Sequence, residues 1–196
     1  MTLSGGYGKP RGVFGANTPL TIGPKVSGLG LPSPFRIGVE AKWDNSFGLG
    51  FDYGYLPVTG IYDSKLKINS YLGTARYYPW RGPFYLGVGF GTQNFQASRT
   101  EDFSGENVTA TLTLNSVMVV PQVGWRWVWD TGFFLGVEAG VQVALSTQRS
   151  LTDDAPTIVR QTSQYATQVK AIEAQGDVLA GIPLPNFALL QVGYFF

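Results

Sequence analysis

In FGLGFDYGY (47–55) every second residue is large and apolar or aromatic, and the residues between are Gly48, Gly50, Asp52 and Gly54. Strict period-2 alternation is the mark of a β-strand with two unlike faces. Glycine makes a poor solvated surface but suits a crowded interior of limited width. The glycine face is therefore expected inside, and the face of Phe47, Leu49, Phe51, Tyr53 and Tyr55 outside. A water-soluble ligand-binding barrel has the opposite arrangement, apolar within and polar without. FRIGVEAKW (35–43), PFYLGVGFGTQNFQ (83–96) and FFLGVEAGVQVAL (133–145) repeat the pattern. So does NFALLQVGYFF (186–196), where Ala188, Leu190, Val192, Tyr194 and Phe196 alternate with Phe187, Leu189, Gln191, Gly193 and Phe195. Chain ends are ordinarily polar and frayed, whereas this one closes an apolar stripe on Phe196.

Composition agrees with an apolar exterior. Charged residues make up 14% of the 196, against roughly 25% in an average soluble domain. A transmembrane barrel needs little surface charge, because lipid covers its outer face. The sequence has no apolar run of the ~18 residues that a membrane helix requires, so insertion must be by strands. The net charge of +1 gives no electrostatic case for nucleic acid. Cysteine is absent, which excludes disulfides and thiolate chemistry. MTLSGGYGKPRG has no apolar core of a secretory signal, so the mature form is expected, with Met1 an added start.

The turns order the strands. Residues 44–46, 80–82 and 130–132 are short and flanked by Trp43, Phe47, Tyr77, Trp80, Phe84, Trp125, Trp127, Trp129 and Phe133. Aromatics so placed suit a girdle at the lipid–water boundary. With those turns at one rim, the charged stretch 101–107 and the segment 149–185 become loops at the other. Two segments change phase, KLKINSYLGTARYYP (65–79) near Asn69 and VTATLTLNSVMVVPQVGWRWVW (108–129) near Asn115, and a β-bulge is expected at the first. Counting from residue 35 gives seven strands, and an even number needs one more upstream. TIGPKVSGL (21–29), joined by the LPSP turn, is preferred to TLSGGYGK (2–9). Residues 1–20 are then a tail or a plug. In 162–182, Tyr165, Val169, Ile172, Gly176 and Leu179 form a helical stripe, so one helix is expected within the last loop. The fold class expected is all-β, a transmembrane antiparallel up-and-down barrel of about eight strands over 21–196.

The ending, with Leu190, Val192, Tyr194 and Phe196 on one face, resembles the C-terminal signal of bacterial outer-membrane barrels that the barrel-assembly machinery reads. Together with FGLGFDYGY and FFLGVEAGVQ it makes residues 21–196 resemble small eight-stranded outer-membrane proteins of the OmpA/OmpX/OmpW kind. The resemblance is architectural. It implies the bacterial outer membrane as location, with outer-membrane lipid and lipopolysaccharide as surroundings. Such barrels serve as anchors, adhesins, lipid-modifying enzymes or narrow conduits, so the fold alone leaves function open.

Chemistry narrows the choice. With no histidine, neither a Ser/His/Asp triad nor a His/Cys metal cluster can form. No cofactor motif is present, and LGVGFGTQ lacks the Lys-Ser/Thr pair of a phosphate loop. The sharpest constellation is charge on the inner face. Glu40, Arg76 and Arg126 sit about four residues up their strands from the short turns, and Asp52 and Glu138 about six. That is roughly 10–15 Å above the rim. A salt-bridged layer of Arg36, Glu40, Lys42, Asp52, Arg76, Arg126 and Glu138 is expected, ringed by Gln122, Gln142 and Gln191. Arg126 and Glu138 fall within diagonal reach across one hairpin. Such a layer reads either as a structural filling or as a gate. The functional expectation is a non-enzymatic outer-membrane scaffold or binding protein, its loops meeting an extracellular or envelope protein. The alternatives are a narrow conduit for a small or hydrophobic solute, an enzyme working by carboxylates alone, and a soluble ligand-binding barrel.

Overall fold

The structure is a computed structural model and describes residues 20–44, 46–61, 64–103, 106–153, 167, 170 and 182–196. Eight strands close into a barrel in sequence order: β1 (Leu20–Leu31), β2 (Phe35–Trp43), β3 (Phe47–Ile61), β4 (Ser64–Tyr77), β5 (Phe84–Phe103), β6 (Glu106–Val128), β7 (Phe133–Asp153) and β8 (Leu184–Tyr194). Every neighbouring pair is antiparallel, including β8 with β1, so the sheet closes on itself, and above Gln142 β7 has no β8 partner among the described residues. The upstream strand preferred in the sequence is β1, and Leu20, expected in the tail, opens it. Residues 1–19 lie outside the described residues. So does the helix expected over 162–182, Thr167, Lys170 and Ile182 aside.

Large apolar side chains point outward. Trp43, Phe47, Trp80, Trp125, Trp127, Trp129 and Phe133 are exposed, as are Leu49, Phe51, Leu86, Val88 and Phe90 between the rims. Phe84 is half-buried because its ring lies 5.3 Å from that of Trp80 and 5.2 Å from that of Trp125. In water so large an apolar surface would drive association, whereas against acyl chains it is the low-energy exterior of a transmembrane barrel. Along β6 and the residue that follows it the band runs from Trp129 to Val119, which at ~3.3 Å per residue on a tilted strand is about 25 Å, the height of a barrel's apolar band.

The chain end is tied to the aromatic rim. The Phe195 N–H donates to the Gly132 carbonyl at 2.8 Å, and the Phe196 N–H to that of Ile22 at 2.9 Å. Gly132 has φ +91°, and a Cβ there would run into the Phe195 carbonyl oxygen, so this turn requires glycine twice over.

At the other end β5, β6 and β7 continue for 20, 23 and 21 residues, about twice what a bilayer crossing needs. Most of the loop expected at 101–107 is therefore strand, and β7 runs to Asp153, past the expected start of the last loop at 149. The extension is held on its outer face by hydroxyl pairs, Ser98 with Thr111 at 2.9 Å and Thr100 with Thr109 at 3.0 Å.

The expected bulge near Asn69 is absent. β4 pairs with β5 in unbroken register, and so does β5 with β6 through Asn115. Ile68, Ser70, Leu72, Thr74 and Arg76 form one inward row, and Val108, Leu112, Leu114, Met118, Val120, Gln122 and Arg126 another. What switches along these strands is the chemistry of the interior, from charged near the aromatic rim to apolar above, where Leu72, Met118 and Val120 pack together. The register shifts lie elsewhere: between β6 and β7, where Leu145 has no partner, between β7 and β8 at Leu189 and Leu190, and between β3 and β4 from Thr59 to Ile61. The second shift corrects the reading of the last strand. Leu189 and Leu190 both face out, so Ala188, expected in the outward stripe, is buried inside at 1% exposure.

Candidate functional site: a charged plug in the barrel

Small residues on the inner faces leave room for long side chains from neighbouring strands. A Cβ on Gly124 would collide with the Tyr85 ring, and one on Gly50 would lie 2.8 Å from Nη1 of Arg76. The space so opened holds three cations and three anions. Arg76 donates to Glu40 Oε2 at 2.9 Å and to Glu138 Oε2 at 3.0 Å, bridging β2 and β7 across the lumen. Arg126 pairs with the other oxygen of Glu40. Lys25 donates to Asp52 at 2.9 Å and lies 3.6 Å from Glu40. All six are at most 4% exposed. The cluster is neutral as a unit, which is what a low-dielectric interior demands of buried charge.

Neutral donors complete it. The Tyr85 hydroxyl donates to Glu138 Oε2 at 2.8 Å, and Gln122 Nε2 to the same oxygen at 3.1 Å. Arg126 Nη2 donates to Gln191 Oε1 at 2.7 Å. Beneath the ions lies an aromatic floor in which Phe134 stacks on Phe195 at 4.8 Å and Tyr78 lies 5.4 Å from Tyr85. The Arg126 guanidinium sits 4.7 Å over the Phe134 ring and 5.6 Å from the Tyr85 ring. Cations over ring faces gain further stabilisation once water is excluded.

Of the seven charges anticipated, the structure gathers Glu40, Asp52, Arg76, Arg126 and Glu138. Arg36 is separate and higher, donating to Asn186 Oδ1 at 3.3 Å and to the Phe187 carbonyl at 3.2 Å, beside the β8 bulge. Lys42 is lower, with Nζ 4.6 Å over the Tyr78 ring. Gln122 and Gln191 join the cluster, while Gln142 donates to Gln93 at 2.5 Å, one layer up. The hairpin pairing of Arg126 with Glu138 is not the one formed. Side chains on adjacent strands project in parallel, and a long guanidinium in a narrow lumen reaches the far wall, here Glu40. Lys25, Tyr85 and Tyr78 were missed. Lys25 follows Gly23 and precedes Ser27 on the inner face of β1, and Tyr85 precedes Gly87, Gly89 and Gly91 on that of β5. Alternation alone marked both as inward.

Among the described residues no group of three or more His, Cys, Asp or Glu side chains is placed to hold a metal ion. Most of its donors and acceptors are turned on one another, while Asp52 Oδ1, Arg76 Nε, Gln122 Oε1 and Arg126 Nε are buried without a hydrogen-bond partner among the described residues.

No protein-family model and no curated protein sequence matches the chain. Among solved structures it is similar to CarO2 of Acinetobacter baumannii, with a TM-score of 0.51 and 13% identity over 92% of this chain and all of that one. CarO of the same organism matches with a TM-score of 0.46 and 13% identity over 91% of this chain and 98% of that one. At this identity the first likeness is one of fold: the chain is built as a small barrel of the CarO2 kind.

Proposed function

We propose that the chain is an integral barrel of the bacterial outer membrane that acts without catalysis, as a scaffold or binding protein. It works through the end opposite its short turns. The observation that carries this reading is the division of the molecule. The lower lumen is filled by a neutral six-charge cluster over an aromatic floor, while β5, β6 and β7 rise well beyond the apolar band. Outer-membrane lipid and lipopolysaccharide cover the apolar band, and the stripe of Leu190, Val192, Tyr194 and Phe196 is what the assembly machinery would read during insertion. The raised strands would meet an extracellular or envelope protein.

A conduit is the second reading, and one feature favours it. Above the Gln93–Gln142 pair, Phe95, Leu114, Ala144 and Leu184 line a small chamber of about 60 Å³ that suits an apolar solute. Single-channel recording of the purified barrel in planar bilayers separates the two. The scaffold reading expects insertion without steady current, and a reproducible ohmic step with each insertion would overturn it in favour of the conduit.

A further inference from the structure

On the outer surface, just above the apolar band, the ladders align two rows across four strands. Tyr71, Thr92, Val117 and Ser146 are mutual neighbours in the first, and Asn69, Asn94, Asn115 and Gln148 in the second. The row directly below is Gly73, Phe90, Val119 and Val143, which faces the acyl chains. Between the two polar rows runs a groove of about 290 Å³. Its upper wall is fixed, since Asn94 Nδ2 donates to Asn115 Oδ1 at 2.6 Å. Its lower corner is the half-exposed ring of Tyr71, held 5.1 Å from that of Tyr53.

The chemistry is unusual for a headgroup-level site because neither row contains a charged residue. A phosphate would call for arginine or lysine, and the neighbouring cations lie outside both rows, Arg149 one rung up opposite the inward-facing Leu114 and Lys67 in the next outward row. Amides and hydroxyls both donate and accept, and a tyrosine offers an apolar face with a polar tip. That combination matches sugar hydroxyls with an adjoining C–H face. We infer that this groove binds the core sugars that an outer-leaflet glycolipid carries beyond its phosphorylated disaccharide anchor, with the acyl chains running down over Phe90, Val119 and Val143. The inference rests on the membrane placement proposed above.

The test uses the full chain in detergent, offered three probes: lipopolysaccharide carrying its core sugars, lipid A without them, and the free core oligosaccharide. Retained molecules are counted by native mass spectrometry. The intact protein should retain the core-bearing lipid more strongly than lipid A. Tyr71→Ala combined with Asn115→Leu should lower that retention about tenfold, the equivalent of one or two hydrogen bonds, and leave lipid A retention unchanged. Ser146→Trp, which fills the groove and removes only the Ser146 hydroxyl from its lining, should do the same, and an unaltered heat-dependent gel mobility identifies the variants that fold. Equal retention of lipopolysaccharide by variant and parent overturns the proposal. So does an equal loss of lipid A, which would place recognition on its phosphorylated disaccharide or acyl chains, and so does binding of the free oligosaccharide as tight as that of the whole lipid. A chain that fails to enter bilayers would defeat the membrane reading and this one together, whereas one that enters without discriminating defeats only this one.

Discussion

Arg126 is 2% exposed and holds Glu40, Gln191 and the Phe134 ring at once. Replacing it with alanine leaves Glu40 with Arg76 and Lys25 but turns a neutral cluster into one of net charge −1. Breaking a buried pair costs about 3–5 kcal/mol, and in a chain of this length each kcal/mol moves the unfolding midpoint by ~2–4 °C. Arg126→Ala should therefore lower the midpoint in detergent by roughly ten degrees, read by circular dichroism. An unchanged midpoint would remove Arg126 from any buried network. Charge balance gives a sharper test. Adding Glu40→Gln to Arg126→Met restores neutrality, so the double variant should melt above the Arg126→Met single variant. Additive losses would mean that the pairings act separately rather than as one neutral unit. Which residues are charged and inward was legible from alternation, as Glu40, Asp52 and Glu138 illustrate. Which of them meet was not, because partners across a lumen depend on how far the barrel's strands are staggered, and no local pattern reports that.

At the scale of the strand, sequence and structure differ in an instructive way. The changes of phase at Asn69 and Asn115 look like bulges because a period-2 pattern records side-chain chemistry, and the interior turns apolar there without any backbone irregularity. The real irregularity at Leu189 and Leu190 is silent, because Ala188, Leu189 and Leu190 are all apolar and either face reads alike. β1 mirrors it. Gly28, Leu29 and Gly30 stand opposite Leu190, Leu189 and Ala188; a Cβ on Gly28 would meet open space, and Leu29 is exposed with φ +55°. Each strand thus has two successive outward positions, and the two insertions face each other. Deleting Leu189 alone leaves Leu29 unmatched and should lower the folded fraction after refolding into detergent micelles. Deleting Leu29 as well restores alternation on both strands, with Lys25, Ser27 and Gln191 still inward, and should recover folding. Failure of the double deletion to improve on the single would show that the seam is not a matched pair of insertions.

The whole molecule separates into a barrel that holds itself together and an extension that the barrel does not need. The ion cluster, the aromatic floor and the apolar band all lie on the aromatic-rim side of Gln93 and Ser116. Above them the β5–β6 hairpin adds inward apolar residues such as Val108 and Leu112 and an outer ladder of hydroxyls. Ala97 and Leu112 are direct partners, so residues 98–111 can be replaced by Asn-Gly, a two-residue turn that suits the twist of an antiparallel pair and keeps the register below. The shortened chain should still fold, with its heat-dependent gel mobility intact and its midpoint lowered by only a few degrees, since Leu112 is kept and loss of the buried Val108 side chain costs about 1.5–3 kcal/mol. On the proposed scaffold reading it should nevertheless lose any partner protein extracted with the intact barrel, when both are gently taken from membranes and weighed by native mass spectrometry. A shortened barrel that no longer folds would make the extension part of the folding core. One that folds and retains every partner would move the binding surface away from this hairpin.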